Sequence, residues 1–284
     1  MNKKKMIQDF YRMKQEHEII TFLTAYDFPT AQFAEAAGLD MLLVGDSLGM
    51  CVYGYSGTNP VNMDQMIYHA QAVRRGAPNT FVIGDMPFMS YQSSVEKAVE
   101  NAGRFLKEAE CDAIKLEGGV RIKDKIKAIV DSGITVMGHI GLTPQSSGQL
   151  GGHKAQGRTA DAARLVVEDA YAVQDAGAQM ILLEAIPPEV GEFITRKLSI
   201  PVLSIGAGPH CDGQLLIVSD MIGQFQAFTP KFVKKYCNVA QVVTDAMKAY
   251  CEEVRAGKFP TEDHCYRMVK GEDEKFLNLM EEKR

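Results

Sequence analysis

The feature that most constrains the fold of this 284-residue chain is the alternation of short β-branched runs with longer amphipathic stretches. Eight runs predict strands, at residues 19–24, 41–44, 80–84, 113–116, 135–138, 180–183, 201–205 and 215–218. Between them, residues 94–109 carry apolar side chains at helical spacing after the capping residues Ser93 and Ser94. We therefore predict an α/β protein with a (β/α)8 barrel, while a doubly wound open sheet shares the same local pattern.

We expect residues 1–284 to form one such domain, with a helix at about 5–16 before the first strand and a helical tail at about 230–284. No linker rich in Pro, Gly or Ser interrupts the alternation, which argues against a second domain. The segment 11–15, before the first strand, is interpreted as part of a helix that plugs the barrel floor.

Reactive side chains stand at the ends of nearly all of these strands. They are Asp27, Asp46, Ser47, Asp85, Lys115, Glu117, His139, Glu184 and Ser204. A helix N-cap would account for an Asp or a Ser at any one position, but Lys, His and Glu are not preferred N-cap residues, so capping does not explain Lys115, His139 or Glu184. A barrel brings the C-terminal ends of all its strands to one axis, so this repetition favours the barrel and predicts an active site there.

Composition narrows the classes of partner. The net charge is −5 and no basic block is present, so the chain lacks the electrostatic footprint of a nucleic-acid binder. The six cysteines include no CxxC pair, which favours reduced, packed thiols over a zinc site or a disulfide framework. With no apolar run long enough to cross a membrane and no signal-peptide pattern, we expect a cytoplasmic protein that acts on small molecules.

Three of the strand-end residues are carboxylates, at Asp46, Asp85 and Glu117. Three negative charges at one barrel mouth repel one another unless a cation lies between them, and all-oxygen ligands suit Mg²⁺. A Mg²⁺ ion that binds the carboxylate and keto oxygens of a 2-oxo acid would stabilise an enolate, the species needed to form a carbon–carbon bond. Lys115 could then pair with the carboxylate of the substrate.

Glu184 ends an apolar run in the segment MILLEAIPPE, and this position makes it a candidate general base. A surface glutamate at a helix start, stabilised by the helix dipole, explains the same stretch about equally well. His139 is interpreted as a core histidine or a hydrogen-bond donor, behind the residues that contact substrate. The glycine-rich stretch 141–158 is too long for an ordinary barrel loop and predicts either a mobile lid or an oligomer contact.

Ordered motifs across residues 21–264 resemble the ketopantoate hydroxymethyltransferase family. They are TAYDFPTAQFAEAAGLDMLLVGDSLGM, MIYHAQAVRRGA, VIGDMPFMSYQ, AIKLEGG, VMGHIGLTPQS, QLGGHKAQGR, GAGPHCDGQLL, PKFVKKY and EVRAGKFPTEDH. The resemblance implies a barrel of the phosphoenolpyruvate/pyruvate type and transfer of a hydroxymethyl group from 5,10-methylenetetrahydrofolate to 3-methyl-2-oxobutanoate, giving 2-dehydropantoate for pantothenate and coenzyme A synthesis. It also implies a homo-oligomer, expected to be a decamer.

Carried over by motif, the resemblance implies a magnesium site at Asp46, Asp85 and Glu117. It implies keto-acid contacts at Asp46, Ser47, Asp85 and Lys115, and a proton acceptor at Glu184. Met89, Gly148 and Ser219 depart from the family pattern, where a small, a larger polar and a larger residue are expected. The main alternative activity is a metal-dependent carbon–carbon lyase of the isocitrate-lyase type, which would be expected to carry a cysteine acid that the stretch 141–158 lacks.

Overall fold

The structure is a computed structural model that describes residues 4–282. The chain divides into two compact units, one that ends at Cys237 and one that begins at Asn238. Within the described residues, no helix is both long and apolar enough to cross a membrane.

The first unit is built around a closed barrel of parallel strands in sequence order, with β8 paired to β1. The strands are β1 (Ile20–Thr24), β2 (Met41–Val44), β3 (Phe81–Asp85), β4 (Ala113–Glu117), β5 (Val136–Gly141), β6 (Met180–Glu184), β7 (Val202–Ile205) and β8 (Gly213–Leu216). Every predicted run overlaps one of them, so the predicted barrel is confirmed and the open-sheet alternative is wrong.

Helices precede the barrel, connect its strands and form the second unit. In the first unit they are α1 (Ile7–Gln15), α2 (Phe28–Ala36), α3 (Leu48–Cys51), α4 (Met63–Gly76), α5 (Val95–Ala109), α6 (Lys123–Asp131), α7 (Ser147–Leu150), α8 (Ala160–Asp175), α9 (Pro188–Lys197) and α10 (Val218–Met221). The second unit contains α11 (Val239–Arg255) and α12 (Glu272–Glu281). Several helices start where the capping residues predict, for example at Ser94, whose side chain accepts a bond from the amide of Lys97.

The core has two layers, one between the strands and the surrounding helices and one inside the barrel. Helix α1 contributes Phe10 and Met13 to the inner layer, and the Phe10 ring meets the Phe81 ring edge-on with centroids 5.1 Å apart. Phe81 is the first residue of β3, so α1 covers the N-terminal end of the barrel. The opposite, C-terminal end stays open for a site.

Gly84 lets helix α5 approach the barrel closely, because a Cβ at Gly84 would lie 2.2 Å from Cδ1 of Phe105. We expect Gly84→Ala to lower the free energy of unfolding by about 1–3 kcal/mol, through overpacking of the core. The matched control is Gly103→Ala on helix α5, where an added Cβ meets nothing within 4 Å. That change should stabilise the helix by about 0.5–1 kcal/mol, and urea unfolding of both variants measures the contrast. Equal stability of the two variants would contradict the close packing at Gly84.

Candidate functional site

A cavity of about 810 Å³ opens at the C-terminal end of the barrel strands. The predicted site residues all line it: Asp46, Ser47, Asp85, Lys115, Glu117, His139 and Glu184. The other two strand-end residues have local roles instead. Asp27 caps α2 by accepting a 2.8 Å bond from the amide of Thr30, and Ser204 Oγ accepts a bond from the amide of Ala207. The capping interpretation therefore holds for Asp27 and fails for the residues that face the cavity.

The turn that carries Asp46 and Ser47 depends on glycine at both ends. A Cβ on Gly45 would lie 2.8 Å from Ser47 Oγ, and one on Gly49 would lie 2.6 Å from Cγ2 of Val61. Because neither glycine has a side chain, the backbone can turn directly into helix α3 after the buried strand β2. The turn is held by the hydroxyl of Tyr26, 2.8 Å from Ser47 Oγ.

Lys115 is the buried positive charge of the site. The parallel register of β3 and β4 sets Lys115 beside Asp85, and its Nζ lies 2.8 Å from Asp85 Oδ1 and 3.6 Å from Glu117 Oε1. Burial by itself would lower the pKa of Lys115, but the charges of Asp85, Glu117 and Asp46 outweigh it and raise that pKa above its usual value. The ammonium group therefore stays charged and partly neutralises the carboxylates.

Asp46 and Asp85 form a linked pair, since the backbone amide of Asp46 donates a 2.9 Å bond to Oδ2 of Asp85. Burial raises the pKa of both carboxyl groups, and mutual repulsion raises that of Asp85 further despite the charge of Lys115. Oδ1 of Asp85 is buried and accepts no aligned hydrogen bond from any described residue. Two hard oxygen donors whose negative charge Lys115 only partly neutralises fit a divalent cation such as Mg²⁺.

Glu117 is engaged differently from this pair. Its Oε2 accepts a 3.0 Å bond from the backbone amide of Gln145, and its Oε1 lies 3.4 Å from Nδ1 of His139. Within residues 4–282, no group of three or more His, Cys, Asp or Glu side chains is arranged as a metal centre. The structure thus brings Asp46 and Asp85 together, and it does not gather Glu117 with them around one point.

His139 connects Lys115 to Glu184. Its Nδ1 lies 3.3 Å from Nζ of Lys115, and its Nε2 lies 3.1 Å from Oε2 of Glu184. Burial lowers the pKa of His139, and the charge of Lys115 lowers it further, while Glu184 opposes the shift. A charged Lys115 can only donate to Nδ1, so the proton of the neutral ring belongs on Nε2, facing Glu184.

Gln145 was missed by the reading of the sequence, although it is buried at the centre of the site. Its Nε2 donates to Asp46 Oδ2 and to the carbonyl of Met86, both at 2.9 Å. Its Oε1 accepts a 2.7 Å bond from the hydroxyl of Tyr91, and that hydroxyl also accepts from the amide of Glu117. A lone Gln in a glycine-rich loop has no signal that marks it. Only the spacing TPQ directly after strand β5 places it near the site.

The glycine-rich stretch is attached at its two ends to the last residue of strand β6 and to the residue that follows it. The amide of Leu142 donates to the carbonyl of Glu184, and the amide of Gln156 donates to the carbonyl of Ala185, both at 2.9 Å. Residues 151 and 153–155 between these attachments are exposed. The loop therefore starts and ends beside the predicted base.

The three departures from the family pattern have distinct settings. Met89 has a φ of 66°, in the left-handed region that favours glycine, which accounts for the expected small residue. A Cβ on Gly148 would meet nothing within 4 Å, so a larger side chain has room there. Ser219 is buried, and its Oγ has no hydrogen-bond partner among the described residues.

Comparison with known proteins gives a consistent set of relatives. The sequence profile described as Ketopantoate hydroxymethyltransferase matches residues 4–262. The chain is 64% identical over 282 residues to the 3-methyl-2-oxobutanoate hydroxymethyltransferase of Alkaliphilus metalliredigens (strain QYMF), covering 99% of both chains. It is 52% identical over 253 residues to the enzyme of the same name from Syntrophomonas wolfei, covering 89% of this chain and 92% of that one.

Solved structures with the same fold are more distant in sequence. Phosphonopyruvate hydrolase, in a complex with oxalate and Mg²⁺, matches with a TM-score of 0.61 at 14% identity, covering 98% of this chain and 96% of that chain. A 2,3-dimethylmalate lyase, a member of the PEP mutase/isocitrate lyase superfamily, matches with a TM-score of 0.58 at 17% identity, covering 96% and 98%. These likenesses show that the chain shares its barrel fold with these proteins.

Proposed function

Because this chain belongs to the ketopantoate hydroxymethyltransferase family, we propose that it transfers a hydroxymethyl group from 5,10-methylenetetrahydrofolate to 3-methyl-2-oxobutanoate, giving 2-dehydropantoate. The chain is a hydroxymethyltransferase of pantothenate biosynthesis by its family, and the donor and the mechanism are the proposal. The observation that carries it is the meeting of Glu184, Lys115 and the Asp46–Asp85 pair at one cavity.

Glu184 is proposed to remove the proton from C3 of the keto acid. Its carboxylate lies at the end of β6, with Oε2 3.1 Å from Nε2 of His139. With its proton on Nε2, His139 cannot accept the C3 proton itself, so it would act by orienting Glu184. This arrangement supports Glu184 as the proposed base and His139 as the residue that positions it.

Asp46 and Asp85 are proposed to hold Mg²⁺, and Glu117, the third predicted ligand, would have to turn away from Gln145 and His139 to join them. The bound ion would supply positive charge to the carboxylate and carbonyl oxygens of the keto acid and so favour the enolate. Lys115 adds fixed positive charge at the same end of the substrate, and Ser47 is proposed as a hydrogen-bond donor to it. Both residues line the cavity with the carboxylates.

A Schiff-base mechanism through Lys115 is disfavoured by its surroundings. An amine must lose its proton before it attacks a carbonyl, yet Lys115 is paired with Asp85 and Glu117, and their charges raise its pKa. Borohydride should therefore trap no keto-acid adduct on Lys115. A covalent adduct detected by mass spectrometry would contradict this account.

The proposed function is tested by one assay. The protein, 3-methyl-2-oxobutanoate, 5,10-methylenetetrahydrofolate and Mg²⁺ are incubated together, and 2-dehydropantoate is measured by mass spectrometry. We expect product only when all components are present. Cleavage of a 2-hydroxy or 2-methyl malate-type acid without any transfer would favour the lyase alternative instead.

We also propose that the protein forms a closed homo-oligomer, with the decamer as the expected size. The second unit supports this assembly, because helices α11 and α12 contain no buried residue and expose several large apolar side chains. These are Val242, Val243, Met247, Tyr250, Val254, Phe276, Leu277, Leu279 and Met280. Apolar surface of this extent is typical of a protein interface.

A further inference from the structure

The catalytic cavity extends beyond the residues that the proposed reaction uses. Its lining also includes Asp220, Cys51, Thr58, Phe225 and Phe228, which together we call the second arm of the cavity. A short keto acid has no need of this arm. Carboxylate and aromatic groups in one arm of an apolar cavity point to a second ligand with a flat ring and a polar edge.

Asp220 is the polar group that distinguishes this arm. It is only 5% exposed, and its carboxylate makes no hydrogen bond to any residue in the described part of the chain, while it faces the cavity. Burial raises the pKa of Asp220 to about 6, with the charge of Lys235 opposing the shift. The carboxylate lines the cavity and accepts no hydrogen bond from any described residue, so a ligand that brings hydrogen-bond donors would gain affinity there.

The two aromatic residues follow Asp220 closely in the chain and line the same cavity. The amide of Phe225 folds back to donate a 3.1 Å bond to the carbonyl of Ser219, the residue before Asp220. The rings of Phe225 and Phe228 meet edge-on with centroids 5.5 Å apart, and Phe228 is 52% exposed. They offer apolar surface for a flat ring whose edge reaches Asp220.

The arm is also continuous with the reacting centre. Cys51 lies one helical turn after Ser47, and its amide donates a 3.0 Å bond to the carbonyl of Ser47. Burial raises the pKa of the Cys51 thiol, and the nearby charge of Asp220 raises it further. A ligand held at Asp220 would therefore extend toward Ser47 and Asp46.

We propose that Asp220 binds the pterin ring of the folate donor, by accepting hydrogen bonds from its N3–H and its 2-amino group. These two neighbouring donors match the two oxygens of one carboxylate, whereas the negatively charged keto acid would be repelled by it. Phe225 and Phe228 would pack against the ring system, and Lys231, which lines the cavity, would face the carboxylates of the glutamyl tail. This inference rests on the proposed function and names the donor site within it.

The test is direct binding of tetrahydrofolate by isothermal titration calorimetry, together with an analogue whose 2-amino group is replaced by methyl. We expect Asp220→Asn to weaken tetrahydrofolate binding about 10- to 100-fold, because the NH₂ group of asparagine would face an N–H donor of the pterin ring where a carboxylate oxygen accepts one. The wild-type protein should discriminate against the methyl analogue, and Asp220→Asn should lose most of that discrimination. The matched control is Asp131→Asn, at a carboxylate that is 60% exposed, and it should bind tetrahydrofolate as the wild type does.

Stability measurements separate loss of the site from loss of the fold. Because the Asp220 pKa is raised, the folded state holds this proton more tightly than the unfolded state, so ionisation destabilises the fold as pH rises from about 4 to 6. Asp220→Asn should therefore raise Tm at pH 7 and change it little at pH 4.

Two results would overturn the inference: tetrahydrofolate binding that is equal in wild type and Asp220→Asn, or equal discrimination against the analogue in both. Absence of tetrahydrofolate binding by the wild type would overturn it as well. If 2-dehydropantoate forms normally yet either result appears, the proposed function stands and only this site is wrong.

Discussion

Replacing Glu184 by glutamine is expected to abolish both solvent exchange at C3 of 3-methyl-2-oxobutanoate and hydroxymethyl transfer. The amide keeps the shape of the side chain and its contact with His139, but it cannot accept a proton. Loss of a positioned base costs about 10²–10⁴ in rate. In deuterium oxide with Mg²⁺ and no folate, NMR should show exchange by the wild type and none above background by Glu184→Gln.

The matched control is Glu189→Gln, an exposed glutamate in the first turn of α9. It tests the helix-dipole interpretation of such a carboxylate, which predicts a loss below about 1 kcal/mol in stability and no change in exchange. If Glu184→Gln exchanged deuterium at the wild-type rate while it bound keto acid normally, Glu184 would not be the base, and the assignment of His139 as the residue that orients it would fall as well.

Asp85→Asn is expected to remove nearly all transfer activity through loss of magnesium binding. Asp85 has a buried oxygen without an aligned partner, and its negative charge supports the proposed ion. An uncharged amide should lower magnesium affinity at least about 100-fold, because even residues that only support metal ligands contribute 10- to 100-fold. Calorimetric titration with MgCl₂ measures this loss independently of turnover, and Asp46→Asn should behave alike.

Asp64→Asn serves as the control, because Asp64 is 67% exposed and lies on helix α4, away from the cavity. Thermal unfolding should show that the Asp46 and Asp85 variants remain folded. Unchanged magnesium affinity and turnover in either of them would show that the metal site has been assigned to the wrong residues.

The barrel and its reactive end were predictable because both follow from local patterns. The periodicity of strands and helices can be recognised in consecutive residues. A parallel barrel brings the C-terminal ends of all its strands to one side, so Lys115 and Glu184 could be predicted to share a site from the sequence. These patterns could not fully distinguish the cavity residues from a capping residue such as Asp27. Both kinds of residue follow directly after a strand, at the start of the next helix or loop.

Other parts of the site depend on contacts between distant segments and could not be predicted. Gln145 reaches Asp46 across 99 positions of sequence, and the position of Asp220 beside Cys51 arises only when β8 closes against β1. The pairing of Lys115 with Asp85 follows from the register between neighbouring strands. Such relations are properties of the closed barrel as a whole.

The attachment of residues 142–156 to Glu184 and Ala185 has an evolutionary consequence. Since the two ends of the loop are held at the neighbouring residues Glu184 and Ala185, insertions or deletions at the exposed tip would leave both anchor points, and with them the base, in place. Doubling the length of a flexible loop costs only about 0.6 kcal/mol. Loop length is thus free to drift among descendants of this enzyme while the chemistry below it stays constant.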